Sequence, residues 1–105
     1  MTPVQPCGEC NKLVWIIIES GVEMELRELL DEMELEHYTL FEQIKGVGET
    51  GRKAGDAIFP GINMVFMLAM PEAKVEPLVT RLHEIRDSFI IQPGVKVIVT
   101  DCVMY

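Results

Sequence analysis

The stretch Leu13-Val14-Trp15-Ile16-Ile17-Ile18 is an unbroken apolar run near the start of a chain of 105 residues. A second run, residues 62–70, is interrupted only by Asn63. A strand with one solvated face alternates apolar and polar residues, whereas a strand covered on both faces does not. The two runs therefore predict strands over residues 12–19 and 62–70 that need cover on both faces.

Two more strands are predicted from weaker patterns. Residues 37–45 alternate loosely, with Tyr38, Leu40 and Ile44 on one face, and end at a group of glycines. Residues 95–100 form an apolar stretch after a Pro-Gly turn.

Helical spacing of apolar residues predicts a first helix over residues 21–34. Ser20 is the predicted N-cap, and Glu23, three residues later, completes a capping box. Acidic residues fill the opposite face of this helix, which indicates a solvated surface.

A second helix is predicted to open at about Pro71 and to end near Asp87. Proline is tolerated mainly in the first turn of a helix. Pro77 therefore predicts either a start nearer Lys74 or an irregular front end.

The order strand, helix, strand, strand, helix, strand predicts an α+β fold. With right-handed crossovers it is a ferredoxin-like βαββαβ sandwich, an antiparallel four-stranded sheet with two helices on one face. Residues 1–11 hold two prolines and no periodicity, so we expect an irregular cysteine-containing N-terminal arm before a domain over residues 12–105. The helices leave one apolar sheet face uncovered, and further copies of the chain are its simplest cover.

A long glycine-rich loop, about residues 46–60, separates the second and third strands. Residues 45–55 carry Lys45, Arg52 and Lys53 against Glu49, a net charge of +2 in a chain of net charge -8. Glycines let backbone N–H groups turn toward an anion, and the cations add charge-assisted bonds. The alternative is a solvated hairpin loop without a ligand, although long loops in small domains are usually functional. The candidate ligand-binding residues are Lys45, Gly46, Gly48, Gly51, Arg52, Lys53 and Gly55.

The spacing of three of these glycines fits the pattern G-x-G-x-x-G. A dinucleotide-binding fold needs a helix directly after that motif, and here the next element is a strand. The Gly-Lys-Ser/Thr of a P-loop is also missing. Both of these nucleotide-binding folds are therefore excluded.

The segment from Gly46 to Gly55, together with Phe59-Pro60-Gly61-Ile62-Asn63, resembles the T-loop region of the PII signalling proteins, most of all their divergent PII-like relatives. The resemblance implies a non-catalytic regulatory homotrimer with ligand sites in the clefts between subunits. It also implies an adenine nucleotide as ligand and a T-loop that contacts a regulated enzyme or membrane transporter. Residues 88–94 lack the lysine and glycine cluster of that family's second phosphate loop. Three alternatives for the ligand therefore remain: a different nucleotide, a smaller anion, or no nucleotide at all.

The three cysteines form a second constellation. Cys7 and Cys10 have the C-x-x-C spacing that suits one metal ion. In the predicted fold the last strand runs antiparallel beside the first, so Cys102 should lie near the arm. A metal-binding trimer similar to the divalent-cation tolerance proteins is the alternative function, with His37 or a neighbouring subunit as fourth ligand. The other interpretation is a cysteine pair in the arm without metal and a separate strand cysteine.

Composition narrows the remaining function classes. A net charge of -8 argues against nucleic acid as a partner. No apolar window is long enough to predict membrane insertion, and no signal peptide is recognisable. Cysteines without an export signal indicate the reducing cytoplasm. His37 and His83 have no evident nucleophile partner, so no enzyme mechanism is predicted.

Overall fold

The computed structural model describes residues 4–5, 8–44 and 63–105. The strands are β1 (Lys12–Glu19), β2 (Thr39–Ile44), β3 (Asn63–Met70) and β4 (Val95–Asp101), and the helices are α1 (Glu23–Glu32) and α2 (Glu72–Ser88). The sheet has the order β2-β3-β1-β4, with every neighbouring pair antiparallel. This is the predicted ferredoxin-like βαββαβ arrangement, in which β1 and β3 are the central strands.

The hydrophobic core lies between the helices and one face of the sheet. Alternate residues of β1 point into it, and Val14, Ile16 and Ile18 are at most 1% exposed. β3 contributes Phe66 among others, and the helices close the layer with buried leucines. The two strands predicted to need cover on both faces, β1 and β3, are therefore covered on one face by the helices of the same chain.

The first helix begins differently from the prediction. Ser20 to Val22 form a single 3₁₀ turn, and no side chain caps the first N–H groups of α1. The predicted capping box was wrong because Glu23 has a stronger partner one turn along the helix. Its Oε2 accepts a hydrogen bond of 2.8 Å from Nε of Arg27, and Nη1 of the same arginine donates to the hydroxyl of Tyr38 at 2.7 Å.

The same helix ends two residues before its predicted end. Glu34 has a φ of 58°, and its N–H donates to the carbonyl of Asp31. The N–H of Leu35 reaches back to the carbonyl of Leu30, and the side chain of Leu35 is only 7% exposed. These bonds form a Schellman motif, which usually has glycine where Glu34 stands.

Two prolines explain the front of the second helix. Pro71 is its N-cap residue, and the helix then runs through Pro77 without a break. Neither of the two alternatives drawn from Pro77, a start near Lys74 or an irregular front end, is observed. Pro77 cannot donate to the carbonyl of Ala73, but both residues are exposed, so water can satisfy that carbonyl.

A β-bulge interrupts β2 just before the glycine-rich loop. Phe41 pairs with Val65 and Ile44 with Asn63, so β2 has one extra residue, and Gln43 has a φ of 55°. The bulge moves Ile44 to the face of the sheet opposite Leu40. The predicted alternation placed both on the same face and was wrong at this position.

Replacing Glu34 with glycine should stabilise the protein, because glycine adopts a positive φ without steric cost. We expect Glu34→Gly to raise the free energy of unfolding by about 0.5–1 kcal/mol in urea titrations. Glu28→Gly, at an exposed interior position of α1, is the matched control and should lower it by about 1 kcal/mol. Equal destabilisation by both substitutions would contradict the assigned helix end.

Candidate ligand site at the loop end of the sheet

Strand direction gives the sheet two chemically different ends. At one end of the sheet, which we call the loop end, four residues lie side by side across the strands: Ile44, Asn63, Glu19 and Gly94. The glycine-rich loop leaves β2 and returns to β3 here. The predicted ligand-binding residues themselves, Lys45, Gly46, Gly48, Gly51, Arg52, Lys53 and Gly55, lie outside the described residues.

The sheet face away from the helices, which we call the open face, is largely apolar. Its centre is formed by Trp15 and Ile17 of β1 and by Met67 of β3, with Phe41 and Ile98 on the edge strands. The rings of Trp15 and Phe41 stack with centroids 6.4 Å apart and planes at 24°. Phe41 remains 41% exposed and Ile98 45%. Within one chain, this face has no covering layer among the described residues.

Among the described residues, one cationic side chain lies on the open face. Lys96 of β4 is exposed and lies directly opposite Ile17 of β1. Among the residues that the structure describes, it is the only lysine or arginine with no hydrogen bond or ion pair. The others are engaged as follows: Lys12 with Asp101, Arg27 with Glu23, Lys74 with the carbonyl of Met33, Arg81 with Glu32 and Arg86 with Asp87.

Lys96 is not among the ligand-binding residues predicted from the sequence. A lone lysine within an apolar strand was the available signal, because such a residue on an edge strand must reach either solvent or an anion. Lys96 is two residues along β4 from Gly94, or about 7 Å from the loop end at the usual rise of a strand. It is therefore near the loop end of the sheet, although within one chain β1 separates it from β3, where the glycine-rich loop returns, and β2 lies one strand further.

The turn that enters β4 is tied to the end of β1. The N–H of Glu19 donates to the carbonyl of Gly94 at 3.1 Å, and the N–H of Gly94 donates to Oε1 of Glu19 at 2.9 Å. A Cβ at residue 94 would lie 3.0 Å from that same oxygen, so the close approach favours glycine. Before the turn, Gln92 and Arg86 both donate to Oδ1 of Asp87.

The opposite end of the sheet holds the described cysteines. The N–H of Cys102 donates to the carbonyl of Asn11 at 3.0 Å, and its Sγ lies 3.9 Å from the carbonyl oxygen of Cys10. Lys12 pairs with Asp101 beside them, and this hydrogen bond and charge lower the pKa of the Asp101 carboxyl. Cys7, the third predicted metal ligand, lies outside the described residues.

His37 lies at this cysteine end, but beside the far edge strand. Because β3 and β1 stand between β2 and β4, usual strand spacing separates His37 from Cys102 by about 14 Å. The described part of the chain contains no group of three His, Cys, Asp or Glu side chains that could hold a metal ion. Metal binding by Cys7, Cys10 and Cys102 stays a prediction, and within one chain His37 is too distant to complete it.

The fold resembles several solved structures. CPII of Thiomonas intermedia K12, a nitrogen regulatory PII-like protein bound to ADP, AMP and bicarbonate, is 22% identical with a TM-score of 0.75, covering 97% of this chain and 92% of that one. The apo form of CPII is 19% identical with a TM-score of 0.64, covering 90% and 94%. A candidate PII-like signalling protein of Thermus thermophilus is 23% identical with a TM-score of 0.63, covering 90% and 88%.

Sequence comparisons complete the assignment. Among curated proteins, none matches the chain. Neither helix in the described residues has the length and apolar content needed to cross a bilayer. The family model described as nitrogen regulatory protein P-II matches residues 11–100. Since that match covers most of the sequence, the chain belongs to the nitrogen regulatory protein P-II family.

Proposed function

We propose that this chain is a non-catalytic regulatory protein that binds a small anionic ligand, with an adenine nucleotide as the first candidate. The ligand occupies clefts between chains at the loop end, and the glycine-rich loop acts as a T-loop. Through this T-loop, the presence of bound ligand is transmitted to a partner protein in the cytoplasm, either an enzyme or a membrane transporter. The unpaired ammonium group of Lys96 is the single observation that carries this proposal.

Lys96 favours an anion for electrostatic reasons. At about 4 Å, a phosphate or carboxylate charge near a protein surface attracts an ammonium group by roughly 4 kcal/mol before desolvation costs. The other described cations already have partners, so the open face offers this one to a ligand. Lys45 follows Ile44 directly in the chain, and with Arg52 and Lys53 it supplies further positive charge from the loop.

The solved relatives support the same ligand class. CPII has been crystallised with ADP, AMP and bicarbonate, which are all small anions. A shared fold at 22% identity does not carry the ligand with it. For this chain, the ligand class therefore depends on its own free cation and its own basic loop.

We propose further that the chain forms a homotrimer in which the open faces meet. An apolar surface that includes Trp15, Ile17 and Met67 is stabilised when another chain removes it from water. Lys96 on the edge strand then lies at the rim of the interface. A cleft between two chains is formed there, and the ligand site is complete only in the assembly.

A charge placed in the middle of the open face should dissociate the trimer. We expect light scattering to give three times the chain mass of 11.9 kDa for the wild type and a single chain for Met67→Glu. Met24→Glu is the matched control, because Met24 lies on α1 and is 69% exposed. A monomeric wild type, or a trimeric Met67→Glu variant, would refute the proposed packing.

Removing the charge of Lys96 should weaken ligand binding. We expect Lys96→Gln to reduce the affinity for AMP, ADP or bicarbonate by about tenfold to a hundredfold in calorimetric titrations, as loss of a charge-assisted bond implies. Arg81→Gln makes the same change in net charge on the helix layer, where Arg81 pairs with Glu32, and should leave affinity within about twofold. If both variants bind like the wild type, Lys96 does not contact the ligand.

A further inference from the structure

We propose that Glu19 is a specificity-determining residue that limits the charge of the ligand held at Lys96. The site then prefers anions of low charge, such as a nucleoside monophosphate, over a nucleoside triphosphate. This inference rests on the proposed function, since it concerns the same site. It is carried by the position of the Glu19 carboxylate beside the free cation.

Glu19 and Lys96 share the open face. Ile17 pairs with Lys96, and Glu19, two residues further along β1, lies opposite Gly94. The two side chains are therefore diagonal neighbours, with a usual separation of about 7–8 Å between such positions. The structure shows no ion pair between them, because the Glu19 carboxylate is held elsewhere.

A backbone bond fixes that carboxylate. Oε1 of Glu19 accepts the N–H of Gly94 at 2.9 Å in a partly buried position. In many phosphate sites, successive backbone N–H groups at a turn point toward the ligand. Here a side-chain carboxylate already occupies the N–H of Gly94, so an approaching phosphate would have to displace it. The turn into β4 therefore repels an anion instead of binding one.

The described neighbours of Glu19 do not compensate its charge. Its neighbour on β3 is Asn63, which is neutral. Among the described residues, no lysine or arginine forms an ion pair with Glu19. An anion held by Lys96 consequently has one attractive charge beside it and one repulsive charge on the adjacent strand, at the diagonal position about 7–8 Å from Lys96.

Added ligand charge brings added repulsion. At about 8 Å, one unit charge weakens binding of another like charge by about twofold in bulk water and about thirtyfold at a protein surface of lower dielectric. Lys96 can neutralise the first phosphate, whereas further phosphates extend the charge toward other groups. We therefore expect the selectivity to grow with each phosphate that extends toward Glu19.

The test compares AMP and ATP on one variant that keeps the hydrogen bond. Glu19→Gln retains an oxygen that can accept the N–H of Gly94 but removes the charge. Calorimetric titrations in magnesium-free buffer with EDTA should show the ratio Kd(ATP)/Kd(AMP) falling about tenfold relative to the wild type. Glu28→Gln, an exposed position on α1, makes the same change in net charge and should leave the ratio unchanged.

A second variant separates charge from turn geometry. Glu19→Ala removes both the charge and the hydrogen bond to Gly94. It should lower the ratio Kd(ATP)/Kd(AMP) even if a looser turn weakens AMP binding as well. A wild type that binds neither AMP nor ATP overturns the proposed function and, with it, this inference. A wild type that binds both, with the same Kd ratio in Glu19→Gln and Glu28→Gln, overturns only the role of Glu19.

Discussion

Pairing of β1 with a strand on each side is the constraint on which the rest of the structure depends. All eight residues of β1 pair with β3, and seven of them pair with β4. Because the strand is apolar on both faces, the helices can satisfy only one of them. In the proposed trimer a neighbouring chain covers the other face, and the ladder fixes Lys96 opposite Ile17 at the rim of that face. The proposed assembly and the proposed ligand site therefore both depend on this strand.

The ladder also separates the two candidate sites. Glu19 and Lys12 are the ends of β1, seven strand steps or about 24 Å apart. Glu19 lies at the loop end with the turn into β4, whereas Lys12 pairs with Asp101 beside Cys102. Thiol or metal chemistry at the cysteine end would act on an anion site only through the strands between them. The two candidate sites therefore lie at opposite ends of the same central strand.

Much of the fold could be predicted because it depends on which residues are buried. The spacing of apolar residues along the sequence indicates those residues. The bounds of β1 were predicted to the residue from one apolar run. Helix ends were harder to predict, because they depend on competition between local hydrogen bonds. Glu23 bonds to Arg27 instead of forming the predicted capping box, and α1 ends with Glu34 at the positive-φ position where glycine is usual. The site was harder to predict, because Lys96 is distinguished only by having no partner in three dimensions. The loop cations lie outside the described residues and stay predictions.

A crystal structure of the chain grown with AMP would show whether Lys96 binds the anion between two chains. We expect the phosphate group to lie within hydrogen-bonding distance of Nζ of Lys96, in a cleft between two chains whose open faces meet. We also expect the Glu19 carboxylate to keep its bond to the N–H of Gly94. A phosphate bound within a single chain on the helix layer, with Lys96 still unpaired, would contradict the account.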